Sequence, residues 1–188
     1  MNDFLYNRKT AYICVFLMVL VSIFILGGND LRNERMRVIN AVNGQNELSI
    51  SVTAEASIVL ANSANLLVVA GRYIDTEDNR ILNIRNFLDD PVTGHSNLSD
   101  WEINLYIMGR VMPYVRRLLG ELSDMNIESR SAEQLTEIEI NIDAALRRID
   151  LSGYNALADD FNRLLRNPYT GMIATVRGIR GFLMVRTN

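Results

Sequence analysis

Eighteen consecutive residues, Ala11–Gly28 (AYICVFLMVLVSIFILGG), carry no charge, and this run constrains the chain more than any other stretch. A helix rises about 1.5 Å per residue, so the run crosses most of a ~30 Å hydrocarbon core. It divides the chain into a short polar N-terminus (1–10), a transmembrane anchor (11–28), a juxtamembrane helical linker (29–46) and a helical bundle (47–188). Asp3, Arg8 and Lys9 precede the run, as in a secretory signal, but the apolar core exceeds the roughly 7–15 residues of such signals. A cut after Gly28 would need a small residue where Leu26 stands, and Cys14 follows Ile13 rather than a small residue. Both points favour a retained anchor, which makes the lipid bilayer the first partner. Arg8 and Lys9 on one side face Arg32, Arg35 and Arg37 on the other, a charge count that leans towards a cytoplasmic domain. A short N-terminus ahead of one anchor is, however, the arrangement that exports the chain beyond it. On that ground we expect a single-pass cell-membrane protein with its bundle outside the cytoplasm.

The remainder of the 188 residues is enough for one soluble domain with its own core. Lys and Arg total 19 against 22 Asp and Glu, a formal charge of −3, and the signs are interspersed, so no nucleic-acid footprint is present. Cys14 is the single cysteine, which excludes an intramolecular disulfide and leaves the compartment open. With three prolines and no long β-branched alternation, the reading is all-α.

After the anchor, Met36, Val38, Ile39 and Val42 form a weak stripe that Asn43-Gly44 ends. Val52, Ala56, Val59, Leu66, Ala70, Ile74, Ile81, Ile84 and Leu88 then recur at helical spacing and predict one helix over about 47–88, stopped by Asp89-Asp90-Pro91. Ser99-Asp100-Trp101-Glu102 is a capping box opening a helix over about 100–126, with a kink expected near Pro113. A second box, Ser131-Ala132-Glu133-Gln134, opens a helix over about 132–166, ended by Asn167-Pro168. A short helix over about 172–185 carries Gly178 and Gly181. The expected architecture is an N-terminal transmembrane helix followed by an antiparallel four-helix bundle.

Tyr154-Asn155, five residues, Phe161-Asn162 and then Pro168, with Leu135-Thr136 and Glu139 upstream, resemble the LemA family, whose last long helix carries YN-x5-YN and a following proline. Asn65-Leu66-Leu67, Tyr73 and Glu77 resemble its NLV…Y…E stretch, and Gly171-Met172-Ile173-Ala174 its Leu-Ile-Ala continuation. The family's proline before NLV is Ala64 here, and its Tyr-Pro-Asp-Leu link is replaced by Met125–Arg130. The resemblance implies a divergent member, an anchored helical bundle whose molecular role is unsettled, with Tyr154, Asn155, Phe161, Asn162 and Pro168 as its structural motif.

Tyr154 and Phe161 lie on nearly one face, two turns apart, with Asn155 and Asn162 beside them. The aromatics are expected in the core, with the amides bonding across to neighbouring helices; the sharper alternative is a groove for a peptide or partner. His95 sits in a loop whose Asp89, Gly94 and Asp100 fall at calcium-loop positions 1, 6 and 12, but Pro91 and Thr93 are poor ligands and a solvated turn is expected. Glu133, Glu137, Glu139 and Asp143 crowd one helix start without the Glu-x-x-His pairs of a di-iron bundle, and suit the helix dipole. Met172 to Arg186, with Arg177 and Arg180 and no acid, reads either as the closing helix or as a basic helix resting on anionic lipid.

No nucleophile–base pair, metal cage or phosphate loop can be assembled, so no catalytic, cofactor or metal residue is assigned and the chain is not expected to be an enzyme. The function expected is a non-catalytic scaffold or adaptor for other membrane or envelope proteins. The alternative is a sensory bundle that binds a small ligand and signals through a separate partner.

Overall fold

The computed structural model describes residues 8–45, 48–89 and 98–185. Among them are seven helices and no strand: α1 (Arg8–Val42), α2 (Val52–Ala70), α3 (Asn79–Asp89), α4 (Asp100–Ser123), α5 (Ser129–Leu151), α6 (Tyr154–Arg166) and α7 (Pro168–Val176). The chain is all-α, an apolar N-terminal helix followed by a helical bundle. Two compact units share it. One holds residues through Ile39 together with Leu157–Phe182; the other holds Asn40–Ala156 and the residues from Leu183 on.

In the first unit, α1 runs through Gly27 and Gly28 without a break, so the linker expected over 29–46 is helical as far as Val42 and belongs to the same helix. Two glycines inside a helix cost about 1 kcal/mol each against alanine. Packing explains their presence. A Cβ on Gly27 would stand 2.9 Å from Ile173 Cδ1 of α7, and one on Gly28 would overlap the Arg177 guanidinium, which donates to the Phe24 carbonyl at 3.2 Å. Tyr12, Phe16, Met18 and Leu26 are exposed, which no water-facing helix of this apolar content would favour. α1 and α2 are both long and apolar enough to cross a membrane. They differ in how they are packed: a third of the apolar window of α2 is buried against other helices, but only 6% of that of α1.

The second unit is a four-helix bundle of α2, α3, α4 and α5, in which α2 packs on all three others. Its centre is filled by Leu66, Ile84, Met108, Leu118, Leu122, Ile142 and Ile149, all withdrawn from water. Ser51 starts α2 by accepting from the Ala54 N–H and donating to the Val42 carbonyl. At the start of α4 the Glu102 carboxylate accepts from both the backbone N–H and the hydroxyl of Ser99, at 2.9 and 2.7 Å. α4 continues past Pro113, which lies on an exposed face.

Four expected boundaries need correction. The single helix over 47–88 is two, α2 and α3. Between them Gly71 ends the first, and the Asp75 and Asp78 carboxylates accept from the backbone N–H groups of Glu77 and Arg80. Short acids satisfy backbone donors outside a helix, which is why they interrupt one. The helix over 132–166 is also two, split at Ser152 and at Gly153, whose φ of +71° favours glycine. It begins at Ser129, not at the expected capping box. Ser131 is buried inside α5 and accepts from Arg72, while the Tyr73 hydroxyl accepts from the Glu128 N–H before the helix. Finally, no helix spans 172–185. α7 starts at Pro168, a favoured first position, and stops at Val176 before Gly178, whose φ is +63°.

The α2–α3 link also carries an ion cluster. Arg80 donates to Asp78 through Nε and Nη2, at 2.7 and 2.5 Å, and also meets Glu121, which accepts from Arg117. Hydrogen bonds from Arg80 hold the Asp78 carboxyl down at about 2, from an ordinary 3.8. A carboxyl lowered in the folded state stabilises above its unfolded value and loses that contribution as pH falls through the folded one. Melting from about pH 5 to about pH 2 should therefore show the unmodified chain converging on an Asp78→Asn variant, the gap closing between roughly pH 4 and pH 2.

Candidate functional site

α6 opens the residues that the sequence singles out. Its first residue, Tyr154, follows the left-handed Gly153, and its backbone N–H donates to the Ser152 hydroxyl at 3.2 Å. That tight turn rotates the chain so that Tyr154 is fully buried while Asn155 stays half-buried beside it. The Tyr154 hydroxyl donates to the Leu183 carbonyl at 2.6 Å. Burial, with a smaller contribution from the Glu102 carboxylate, pushes the phenol well above its ordinary value of 10.0, so it stays a hydrogen-bond donor at any working pH.

Asn155 spends both ends of its amide on one residue. Its Nδ2 donates to the Val185 carbonyl at 2.8 Å and its Oδ1 accepts from the Val185 N–H at 2.9 Å. In the other unit Asn162 does the same to Phe182, at 2.8 Å in each direction. The Phe182 ring sits edge-on to Phe161 with centroids 5.1 Å apart, and the Arg35 guanidinium lies 6.0 Å from its centroid. Gly181 lies against the same amide: a Cβ there would stand 2.5 Å from Asn162 Oδ1. Phe161, Phe182 and Val185 are buried, and Leu183 and Met184 are exposed.

Tyr154 and Phe161 are thus buried aromatics, as expected. The two amides bond neither to neighbouring helices nor to an open groove, but to the chain's own segment 182–185, which has no regular secondary structure. Pro168 takes no part in this contact. It is the first residue of α7, whose start is capped by Asn167 Oδ1 accepting from the Tyr169 N–H at 3.0 Å. Gly181, Phe182 and Val185 escape the sequence reading because the apolar pattern assigns their segment to a helix. Gly178 and Gly181, three residues apart, are the signal against that helix.

Within the bundle, α2 and α5 frame a polar cleft of about 280 Å³ lined by Asn62, Asn65, Arg72, Gln134, Glu137 and Asn141 among others. Arg72 closes one end, donating to Gln134 Oε1 at 3.4 Å and to the Ser131 hydroxyl at 3.5 Å. The carboxylates Glu133, Glu137, Glu139 and Asp143 are exposed along α5, and Asp143 pairs with Arg116 at 3.2 Å. Among the described residues no three acidic, histidine or cysteine side chains come close enough to hold a metal ion. His95, Gly94, Asp90, Pro91 and Thr93, the core of the calcium-loop alternative, lie outside the described residues. Arg186 lies outside them too, and the basic amphipathic helix over 172–186 is not formed: Arg177 and Arg180 follow the end of α7. No protein-family model matches the chain, and no curated protein and no solved structure matches it.

Proposed function

We propose that the chain is a single-pass, membrane-anchored helical bundle of LemA type, a non-catalytic adaptor for other envelope proteins with its bundle outside the cytoplasm. The observation that carries the reading is the contrast between α1, apolar and largely exposed from Tyr12 to Leu26, and the bundle, which buries an apolar core that includes Leu66, Met108, Leu118 and Ile142. The first surface fits lipid and the second fits water. Tyr154-Asn155 and Phe161-Asn162 support the family likeness, and their side chains hold polypeptide rather than a reactive group. The test is co-purification from membranes after mild cross-linking. Recovery of defined envelope proteins with the chain is expected; recovery of this polypeptide alone would overturn the adaptor.

The polar cleft between α2 and α5 favours a second reading, a small-ligand sensor. Its volume approaches the ~300 Å³ at which ligand pockets begin, and its amides and Arg72 suit a small anionic or amide-bearing metabolite. A thermal-shift panel of such metabolites separates the two readings, since an adaptor gives no stabilisation with any of them.

A further inference from the structure

α7 is apolar on every side. It holds no charge from Pro168 to Val176; Ile173 and Ala174 are buried, while Tyr169, Met172 and Val176, at steps of three and four, form an exposed outer stripe. A helix that is apolar all round belongs in a protein core or in a membrane. Its packing points to the membrane. Ile173 lies against Gly27 of α1, and the Arg177 guanidinium, just past the end of α7, donates to the Phe24 carbonyl at 3.2 Å. Tyr169, Thr170 and Ile173 also form one wall of a groove of about 520 Å³ whose other wall runs from Val15 to Gly27 of α1. All of these residues belong to one compact unit. Phe24 lies about 6 Å from the end of the apolar run. A segment packed on the side of a spanning helix shares its depth, so α7 enters lipid wherever α1 does. Its hydroxyls ask nothing of water, as that setting requires. Thr170 donates to the Leu164 carbonyl and Thr175 to the Gly171 carbonyl, and across the groove Ser22 donates to the Met18 carbonyl.

We infer that α7 is seated in the boundary of the bilayer beside α1, with phospholipid acyl chains filling the groove and covering the outer stripe, and anionic headgroups at the flanking arginines. Two observations favour lipid as the occupant. The groove continues the apolar surface of α1, where Val15, Met18, Val19 and Leu26 are exposed along the same wall. Charge complements the headgroups: from Phe161 to Asn188 the sequence holds Arg163, Arg166, Arg177, Arg180 and Arg186 and no acid. Arg166 precedes α7 and Arg177 follows it. Long arginine stems carry a guanidinium from apolar depth to the polar boundary, where anionic lipid attracts it. Tyr169, apolar in its ring and polar at its tip, suits the same boundary.

The inference rests on α1 spanning the bilayer, and one experiment separates the two. Leu17→Cys on α1, Tyr169→Cys in the groove and Met172→Cys on the outer stripe are made singly in a Cys14→Ser background. Each full-length variant carries a nitroxide spin label and is placed in vesicles of phosphatidylcholine and phosphatidylglycerol. Collisions with oxygen, which concentrates in lipid, are compared with collisions with a water-soluble nickel complex. At all three positions oxygen should dominate several-fold. Nickel dominating at Met172 while oxygen dominates at Leu17 would overturn the inference and leave the anchor standing. Nickel dominating at Leu17 would overturn both. Exclusion of both reagents at Met172 would mean that protein, such as a second copy of the chain, covers α7, and the lipid would be the wrong occupant. Should Tyr169→Cys fail to fold, Met172→Cys decides, because that side chain is exposed. The headgroups are tested in the same samples. Vesicles of phosphatidylcholine alone, or Arg166→Gln with Arg180→Gln, should lower the oxygen-to-nickel ratio at Met172 several-fold, and an unchanged ratio in both would overturn the anionic headgroup.

Discussion

Replacing Val19 and Leu20 with aspartate is expected to release the full-length chain from the membrane fraction into an alkaline-wash supernatant. Both residues lie at the middle of the apolar run of α1. At the centre of a spanning helix an aspartate costs about 2.5–3.5 kcal/mol, where valine or leucine contributes about −0.3 to −0.6. Two exchanges therefore shift insertion by roughly 6–8 kcal/mol, a factor on the order of 10⁴–10⁶. The control is Val68→Asp on α2, the other helix long and apolar enough to cross a bilayer. Val68 is exposed, so this change should leave both membrane retention and melting nearly unaltered if α2 is a bundle helix in water. Retention of the α1 double variant, or release of Val68→Asp, would reassign the span to α2.

Tyr154→Ala is expected to be the most damaging single change in the bundle unit. The side chain is wholly buried, and truncating a large aromatic in a packed site costs about 3–5 kcal/mol. For a chain of this size the melting midpoint should fall by on the order of 10 °C. Tyr154→Phe separates ring from hydroxyl. It removes only the bond to the Leu183 carbonyl and should cost about 1 kcal/mol. Similar losses in the two variants would mean that the hydroxyl, not the packing of the ring, holds this end of α6.

The parts of this fold that are legible in the sequence are those set by local pattern. The apolar run, the stripe from Leu135 to Ile149 and the start at Ser99 each depend on residues within a few positions of one another. The errors arise where a short polar side chain or a glycine outcompetes a periodic pattern. Ile74 and Ile81 continue the stripe of α2, but Gly71, Asp75 and Asp78 offer the backbone other partners and the helix stops. The same holds at Ser152-Gly153, where the stripe shifts phase because the chain turns. The candidate site is legible by half. Tyr154, Asn155, Phe161 and Asn162 stand out by their spacing. Their partners at 181–185 do not, because amides that bind main chain leave no complementary mark in the side chains they hold.

Those backbone-directed amides bear on how the segment tolerates change over generations. Leu183 and Met184 are partly exposed and line a shallow cavity with Leu105 and Tyr106, so substitutions there should accumulate at small cost. Gly181 has no such freedom, since even one added methyl group meets Asn162 Oδ1. The identity of the segment is written less in the side chains it carries than in the one it lacks.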